Sequence, residues 1–478
     1  MYEEYEGSTL LEGLAAAVDL PLDQVNFFAA QLVALLLAVV YRKGFHPSVT
    51  SHGLRHCYGL AVGIALIYFC YGLHTLHLFV MSSMCFILLK VVSPRTVHIY
   101  VLVGSLTYLS LMHVWRVYYS YGSNKIDVSG PLMVLTQKVS SLAFSIYDGA
   151  TKSEAEMTEA QKRFALPKVP TALEYYSYMF LFPTVLAGPT VYYKDYLQFI
   201  EGTDQPPNLN PTKTVFKKVL IALSCCLVFI LLNPHFPIRR IKDEHFLETT
   251  DFSYKLYYLA MCTNLVRFKY YFAWIMADAI CNNAGLGYNG QDPDDNPKWD
   301  KVSNVDIAKF EFAPSLKDAI EAWNKGTNIW LRFVVYERAP RFKVFLTYAL
   351  SALWHGFYPG YYITFFTGAI FTVAARIVRK NVRYYFLENA EMKMFYDVLT
   401  FVVTRFVMAY VTFPFVLYEF WASVALYNKL FWHLHLAAIL TIVLVPNCLP
   451  RSYAANPAKK EENVNIVRVL RSGSYRID

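Results

Sequence analysis

Two short segments of this chain carry residue types that could do chemistry. The first is Glu321-Ala322-Trp323-Asn324-Lys325-Gly326-Thr327-Asn328-Ile329-Trp330-Leu331-Arg332, which sets an asparagine between tryptophans. The second is Leu350-Ser351-Ala352-Leu353-Trp354-His355-Gly356-Phe357-Tyr358-Pro359-Gly360-Tyr361-Tyr362, which sets one histidine in a long apolar run. An imidazole titrates near neutrality and can take and return a proton. At membrane depth an ionisable residue is costly and points to function by default. The alternative for His355 is a packing histidine bonded to Ser351 one turn earlier. Trp354, Phe357, Tyr358, Tyr361 and Tyr362 could line an apolar cavity. Pro359-Gly360 breaks the helix just beyond, and broken helices at membrane depth are tolerated where they line a cavity.

Asn324 offers two donors and two acceptor sites. It could orient a carbonyl, donate to a developing oxyanion or fix the histidine; equally, it could be a turn asparagine. On a continuous helix Thr327 would share its face. The stretch 321–343 holds Lys325, Arg332, Arg338, Arg341 and Lys343 against Glu321 and Glu337. Such an excess of cations suits a phosphorylated cofactor such as coenzyme A, although a patch facing anionic lipid headgroups accounts for it more simply. Asp278, one turn from Trp274 and Asn282, either faces a cavity or braces helices, and bracing is favoured. His74 and His77 share a helix face but lack a third ligand, so no metal is expected. There is no Ser-His-Asp order, phosphate-binding lysine loop, glycine-rich dinucleotide turn or carboxylate pair. Direct attack by a hydroxyl that His355 deprotonates therefore fits better than a covalent intermediate.

The elements that must hold these residues are membrane helices. Of 478 residues, 55% are hydrophobic and 17% charged, against about a quarter charged in soluble domains. Mean hydropathy is +0.29. The net charge of +8 is read as cytosolic-loop Lys and Arg, and no nucleic-acid footprint accompanies it. The eight cysteines form no Cys-x-x-Cys pair and read as small buried hydrophobes. The acidic start argues against a cleavable signal peptide.

Apolar runs at 24–41, 57–72, 76–92, 97–118, 129–146, 173–187, 215–232, 254–266, 268–287, 395–417 and 423–445, with a run at 343–375 broken at Pro359-Gly360, predict an all-α polytopic membrane protein. Roughly ten to eleven spans or partial spans are expected by length. Loops are expected at 194–213 and 289–317. Residues 1–450 read as one membrane domain and 451–478 as a polar, disordered cytosolic tail. Arg379–Arg383 and that tail should share the cytosolic side.

At Trp323-Asn324, Trp330-Leu331-Arg332 and Leu350-Ser351-Ala352-Leu353-Trp354-His355-Gly356 the chain resembles the membrane-bound O-acyltransferase family, which uses a paired Asn and His. Leu20-Pro21-Leu22-Asp23-Gln24-Val25-Asn26-Phe27, Ser129-Gly130-Pro131-Leu132, Thr136-Gln137-Lys138, Leu186-Ala187-Gly188-Pro189, Lys194-Asp195-Tyr196 and Lys269-Tyr270-Tyr271-Phe272-Ala273-Trp274 look like its lysophospholipid acyltransferase branch. Tyr336-Glu337-Arg338 and Tyr358-Pro359-Gly360-Tyr361-Tyr362 look closest to members acting on lysophosphatidylethanolamine, lysophosphatidylserine and lysophosphatidylcholine. The likeness covers roughly 8–448.

The resemblance implies helices around an intramembrane tunnel in the endoplasmic reticulum, with acyl-CoA as co-substrate entering from the cytosol and a lysophospholipid arriving from the bilayer. It implies His355 as general base and Asn324 on the thioester carbonyl. By position, Trp330, Arg332, Thr327, Tyr361, Trp354 and Asp278 are expected substrate contacts. No further cofactor is implied, and the oligomeric state stays open. A different acceptor (sterol, diacylglycerol or protein) and a lipid or proton transporter are the alternatives.

Overall fold

The computed structural model describes residues 5–449 apart from 124, 204, 205, 207 and 208; the expected tail 451–478 lies outside the described residues. The long apolar runs fold as helices because a helix satisfies its own backbone polar groups in hydrocarbon. In order these are α1 (Leu22–Gly44), α2 (His52–Tyr71), α3 (Thr75–Val91), α4 (Val97–Tyr119), α5 (Ser129–Thr151), α6 (Ala172–Met179), α7 (Phe182–Val185), α8 (Thr212–Leu232) and α9 (Phe252–Ala284). There follow α10 (Leu316–Ala322), α11 (Lys325–Leu331), α12 (Lys343–His355), α13 (Pro359–Asn381), α14 (Ala390–Leu417), α15 (Phe420–Lys429) and α16 (His433–Cys448). Among the described residues there is no strand, only an isolated bridge between Gln291 and Pro297.

Among the described residues six helical runs are long and apolar enough to cross a membrane, or seven if α15 and α16, bent by 80°, count as one broken span. The expected runs at 57–72 and 76–92 are continuous as His52–Val91, and some of the others are held inside the protein. α5 is the clearest: nearly every residue from Leu135 to Ile146 is buried. It carries Gln137 and Lys138 because protein, not lipid, surrounds it. The Lys138 ammonium donates to the carbonyls of Tyr178 (3.0 Å) and Met179 (3.3 Å) and to Thr184 Oγ1 (2.8 Å), so it closes the C-terminal end of α6.

Three expected boundaries shift. The runs at 254–266 and 268–287 form one helix, α9, of 33 residues. Arg267 does not interrupt it, because its guanidinium pairs with Glu311 at 3.0 Å through both Nε and Nη2. The expected loop 194–213 contains a helix, Tyr193–Glu201, stopped by Gly202 at φ 71°. The expected single span 423–445 is split where Phe431 and Trp432 take positive φ.

Two large packed regions result, with a smaller third around Cys225, Tyr271, Phe310 and Ala319. One gathers the buried faces of α1–α7 with Trp330, Phe333 and Trp354. The other gathers the first half of α9 with α13, α14, α15 and α16. α9 touches both and packs along α8. The start of α13 docks tightly on the end of α14: the Gly360 N–H donates to the Tyr418 carbonyl at 3.0 Å, and a side chain there would lie 2.0 Å from the Pro414 carbonyl oxygen. Between the two regions runs a cavity of about 3750 Å³.

Candidate active site

His355 is the last residue of α12. The chain then turns at Gly356, whose φ of 116° suits glycine, and α13 restarts at Pro359 with proline in its first turn. The expected break thus falls directly after the histidine. His355 Nδ1 lies 2.7 Å from the Ser351 carbonyl. A carbonyl only accepts, so Nδ1 carries the proton and Nε2 keeps its lone pair. The contact foreseen as the packing alternative is therefore also what selects the tautomer a base needs. The ring is fenced by Trp354, Tyr361, Phe365 and Phe415, with centroids 4.6, 6.0, 4.7 and 5.2 Å away. It lines the cavity.

Asn324 lies on the same cavity. It is not within a continuous helix, as the shared-face argument assumed. It precedes α11 in the left-handed region, φ 46° and ψ 51°, a conformation asparagine tolerates better than most residues. The backbone is thus a turn, and the side chain is held from elsewhere. Asn304, in the 289–317 segment, donates from Nδ2 to Asn324 Oδ1 at 3.1 Å. The same Asn304 accepts the Lys325 N–H on its backbone carbonyl (2.8 Å) and the Gly326 N–H on Oδ1 (2.9 Å). One buried amide therefore caps α11 and fixes Asn324. With Oδ1 engaged, Asn324 Nδ2 supplies the donors for a ligand.

α5 aligns the two segments. Met133, Gln137 and Ser140 follow one another at helical spacing on one face. Trp354 Nε1 donates to the Met133 carbonyl at 3.0 Å. Gln137 Nε2 donates to Thr327 Oγ1 at 2.8 Å, while its Oε1 accepts from the Thr190 hydroxyl. Trp330 Nε1 donates to Ser140 Oγ at 2.9 Å. The Trp330 and Trp354 rings meet at 5.8 Å, which joins α11 to α12. The polarity of Gln137 in an apolar run was visible in the sequence; what it holds was not. Asn304 gave no signal at all, since it is one asparagine in a polar loop.

The expected substrate contacts divide. Thr327, Arg332, Trp354 and Tyr361 line the cavity, as do Asn324 and His355. Trp330 is fully buried off the cavity wall, so it positions rather than touches. Asp278 is likewise off the wall: its carboxylate accepts from Lys218 Nζ at 2.6 Å and Ser303 Oγ at 2.5 Å. It braces α9 against α8 and the 289–317 segment. The cation excess around Asn324 is also partly internal. Arg338 pairs with the buried Asp148 at 2.5 Å and Arg332 with Glu337 at 2.9 Å. Further along the cavity wall are the cations Lys343 and Arg376, both over the Tyr336 ring, and Arg379 and Arg383 at the end of α13 and just beyond it.

The family profile described as MBOAT, membrane-bound O-acyltransferase family, matches residues 65–421. Over 460 residues the chain is 45% identical to Lysophospholipid acyltransferase 6 of Drosophila melanogaster, covering 92% of this chain and 64% of that protein, so it spans just under two thirds of that relative's length. Over 457 residues it is 40% identical to Membrane-bound glycerophospholipid O-acyltransferase 1 of Mus musculus, covering 92% of this chain and 93% of that protein. It is 35% identical over 372 residues to Lysophospholipid acyltransferase of Schizosaccharomyces pombe, covering 73% of this chain and 72% of that protein. With a helical membrane scaffold, one cavity shared by Asn324 and His355 and a family profile matched over most of its length, the chain belongs to the membrane-bound O-acyltransferase family.

Proposed function

We propose that this protein transfers an acyl group from acyl-CoA to the glycerol hydroxyl of a lysophospholipid in the endoplasmic reticulum membrane. The observation that carries the reading is the tautomer lock on His355: Nδ1 is spent on the Ser351 carbonyl, and the remaining nitrogen belongs to a residue on the same cavity as Asn324. The hydroxyl gives its proton to His355 Nε2 as its oxygen attacks the thioester carbonyl. Asn324 Nδ2 donates to the carbonyl oxygen as negative charge grows there. The C–S bond then breaks, and the imidazolium returns the proton to the departing thiolate. The products are a diacylated phospholipid and free coenzyme A, with no covalent enzyme intermediate.

The test is acyl transfer by purified protein supplied with labelled acyl-CoA and a panel of lysophosphatidylethanolamine, lysophosphatidylserine, lysophosphatidylcholine, sterol and diacylglycerol. The wild type should label lysophospholipids. His355→Ala should lose at least about 100-fold in rate, and Asn324→Ala about 100-fold, the scale of one oxyanion donor. Turnover by His355→Ala at the wild-type rate would remove the base assignment. Labelling of sterol or diacylglycerol alone would replace the acceptor.

A further inference from the structure

Cations inside the helical body are almost all spoken for. Lys138 is held by two carbonyls and Thr184, Lys218 by Asp278, and Arg267 and Arg405 by Glu311. Arg116 is spent on Asp127, Ser129 and the carbonyls of Ser123 and Lys125. Such pairing is what low-dielectric surroundings require. Lys269, near the middle of α9, departs from the pattern. It lines the cavity, and among the described residues no carboxylate or carbonyl is within bonding distance of its ammonium. Its neighbour there is the Tyr270 ring, 5.0 Å from Nζ.

Its position relative to the two central residues is equally informative. Tyr270 meets Trp323, the residue before Asn324, at 6.0 Å. On the other side, Tyr418 lines the same cavity as Lys269. Tyr418 meets Tyr361 at 5.8 Å, and Tyr361 meets His355 at 6.0 Å. Lys269 therefore shares one cavity wall with Asn324 and His355, in the aromatic cluster that borders both. It groups with the start of α13, whereas the cations Arg376, Arg379 and Arg383 lie at or beyond that helix's other end. At about 1.5 Å per residue, about 27 Å of helix rise separates Tyr361 from Arg379.

We propose that the Lys269 ammonium is the binding partner of the acceptor's phosphate, holding the lysophospholipid so that its glycerol hydroxyl meets His355. The inference rests on the lysophospholipid reading above. The chemistry supports it. In a lysophospholipid the phosphate is only a few bonds from the free hydroxyl, so a site that activates the hydroxyl needs a counter-charge close by. Lysine suits this as a point charge with three donors. The Tyr270 ring beside the ammonium lowers the local dielectric and strengthens the pairing. The phosphates of acyl-CoA are the other possible source of anionic charge, and the distant basic cluster serves them.

The experiment compares wild type with Lys269→Met, Lys269→Gln and Lys269→Arg, each purified and checked for thermal unfolding. Two acceptors are used with one acyl-CoA: lysophosphatidylethanolamine and a monoacylglycerol, which has the hydroxyl but no phosphate. Removing the ammonium should raise KM for lysophosphatidylethanolamine at least about tenfold, as for loss of a charged hydrogen bond. It should collapse the preference for the phosphate-bearing acceptor and leave KM for acyl-CoA unmoved; Lys269→Arg should keep much of the preference. A preference unchanged in folded Lys269→Met or Lys269→Gln overturns the proposal. So does an equal loss with both acceptors, which marks a structural role, or a rise confined to KM for acyl-CoA, which assigns the ammonium to the donor. A wild type inert toward every lysophospholipid would instead overturn the function itself.

Discussion

Asn304 shows how much of the candidate site hangs on a residue that touches no reacting atom. Its side chain and carbonyl hold Asn324 Oδ1, the Lys325 N–H and the Gly326 N–H together. Truncation to Ala would free Asn324 to rotate its amide and would leave the Gly326 donor unpaired. The cost in stability is about 1–3 kcal/mol for an unsatisfied buried donor. The cost in turnover should be larger, because an oxyanion donor works only when aimed. Asn304→Ala is therefore expected to lower kcat by about tenfold or more while KM for acyl-CoA stays near wild type. Single-turnover kinetics beside a melting curve measure the two effects, and a loss of stability with kcat intact would show that Asn324 needs no such clamp. At this scale the sequence pointed to His355 as an ionisable residue in an apolar run, and to Asn324 through the family resemblance of its motif. It could not point to Asn304 or to the Ser351 carbonyl. The first is a polar residue in a polar loop, and the second has no side-chain signature. Trp330 was misplaced for the opposite reason: a large aromatic beside a motif reads as substrate-facing until its indole is seen on Ser140, whereas the bracing favoured for Asp278 is what its bond to Lys218 provides.

The elements matter through where they stop. α12 ends on His355 because Gly356 leaves the helical region at φ 116°. A Cβ at that position would stand 3.1 Å from the ring of His113. His113 Nε2 in turn donates to the Trp354 carbonyl at 3.1 Å, so α4 holds the end of α12 from outside. Gly356→Ala is thus strained twice, in its backbone and against His113. It should lose about 1–3 kcal/mol of stability and a larger share of activity, since any relief of that clash moves the residue next to it. Thermal unfolding and initial rates on the same preparation check this; a variant with wild-type values for both would mean that the turn has slack. The Pro359-Gly360 pair announced this break, since proline cannot continue a helix from within. The sequence was less informative where charge and helix coexist. Arg267 suggested a boundary in what is one 33-residue helix, because the partner that neutralises it, Glu311, is remote in the chain. The kink at Phe431 and Trp432 was hidden for a related reason: two aromatic residues carry no turn signal, and only their positive φ reveals the bend.

Across the whole molecule the cavity joins two ends of different chemistry. One end is aromatic, with His355, Tyr361 and Phe415. The other gathers Lys343, Arg376, Arg379 and Arg383. Arg376 donates to the Tyr336 hydroxyl at 3.4 Å, and Lys343 stands over the same ring. The two ends share α13, so its length sets their separation. At the basic end Asn381 bonds to the Leu449 carbonyl at 3.2 Å and holds the ends of α13 and α16 together. The proposed thioester donor would match this polarity with its phosphorylated head at the basic end and its carbonyl toward Asn324 and His355. The separation then has a kinetic signature. Charges at a solvated mouth are screened by salt, whereas Lys269, deep among rings, is screened far less. On the proposed reading, Arg379→Gln with Arg383→Gln should raise KM for acyl-CoA by about 3- to 10-fold at low salt, with kcat changed by less than about twofold, the pattern of lost uniform binding. Raising the ionic strength should lift KM for acyl-CoA in the wild type toward that of the double variant, while KM for lysophosphatidylethanolamine stays level. If both KM values climb together with salt, the donor and acceptor phosphates share one basic field, and the two-ended cavity is the wrong description.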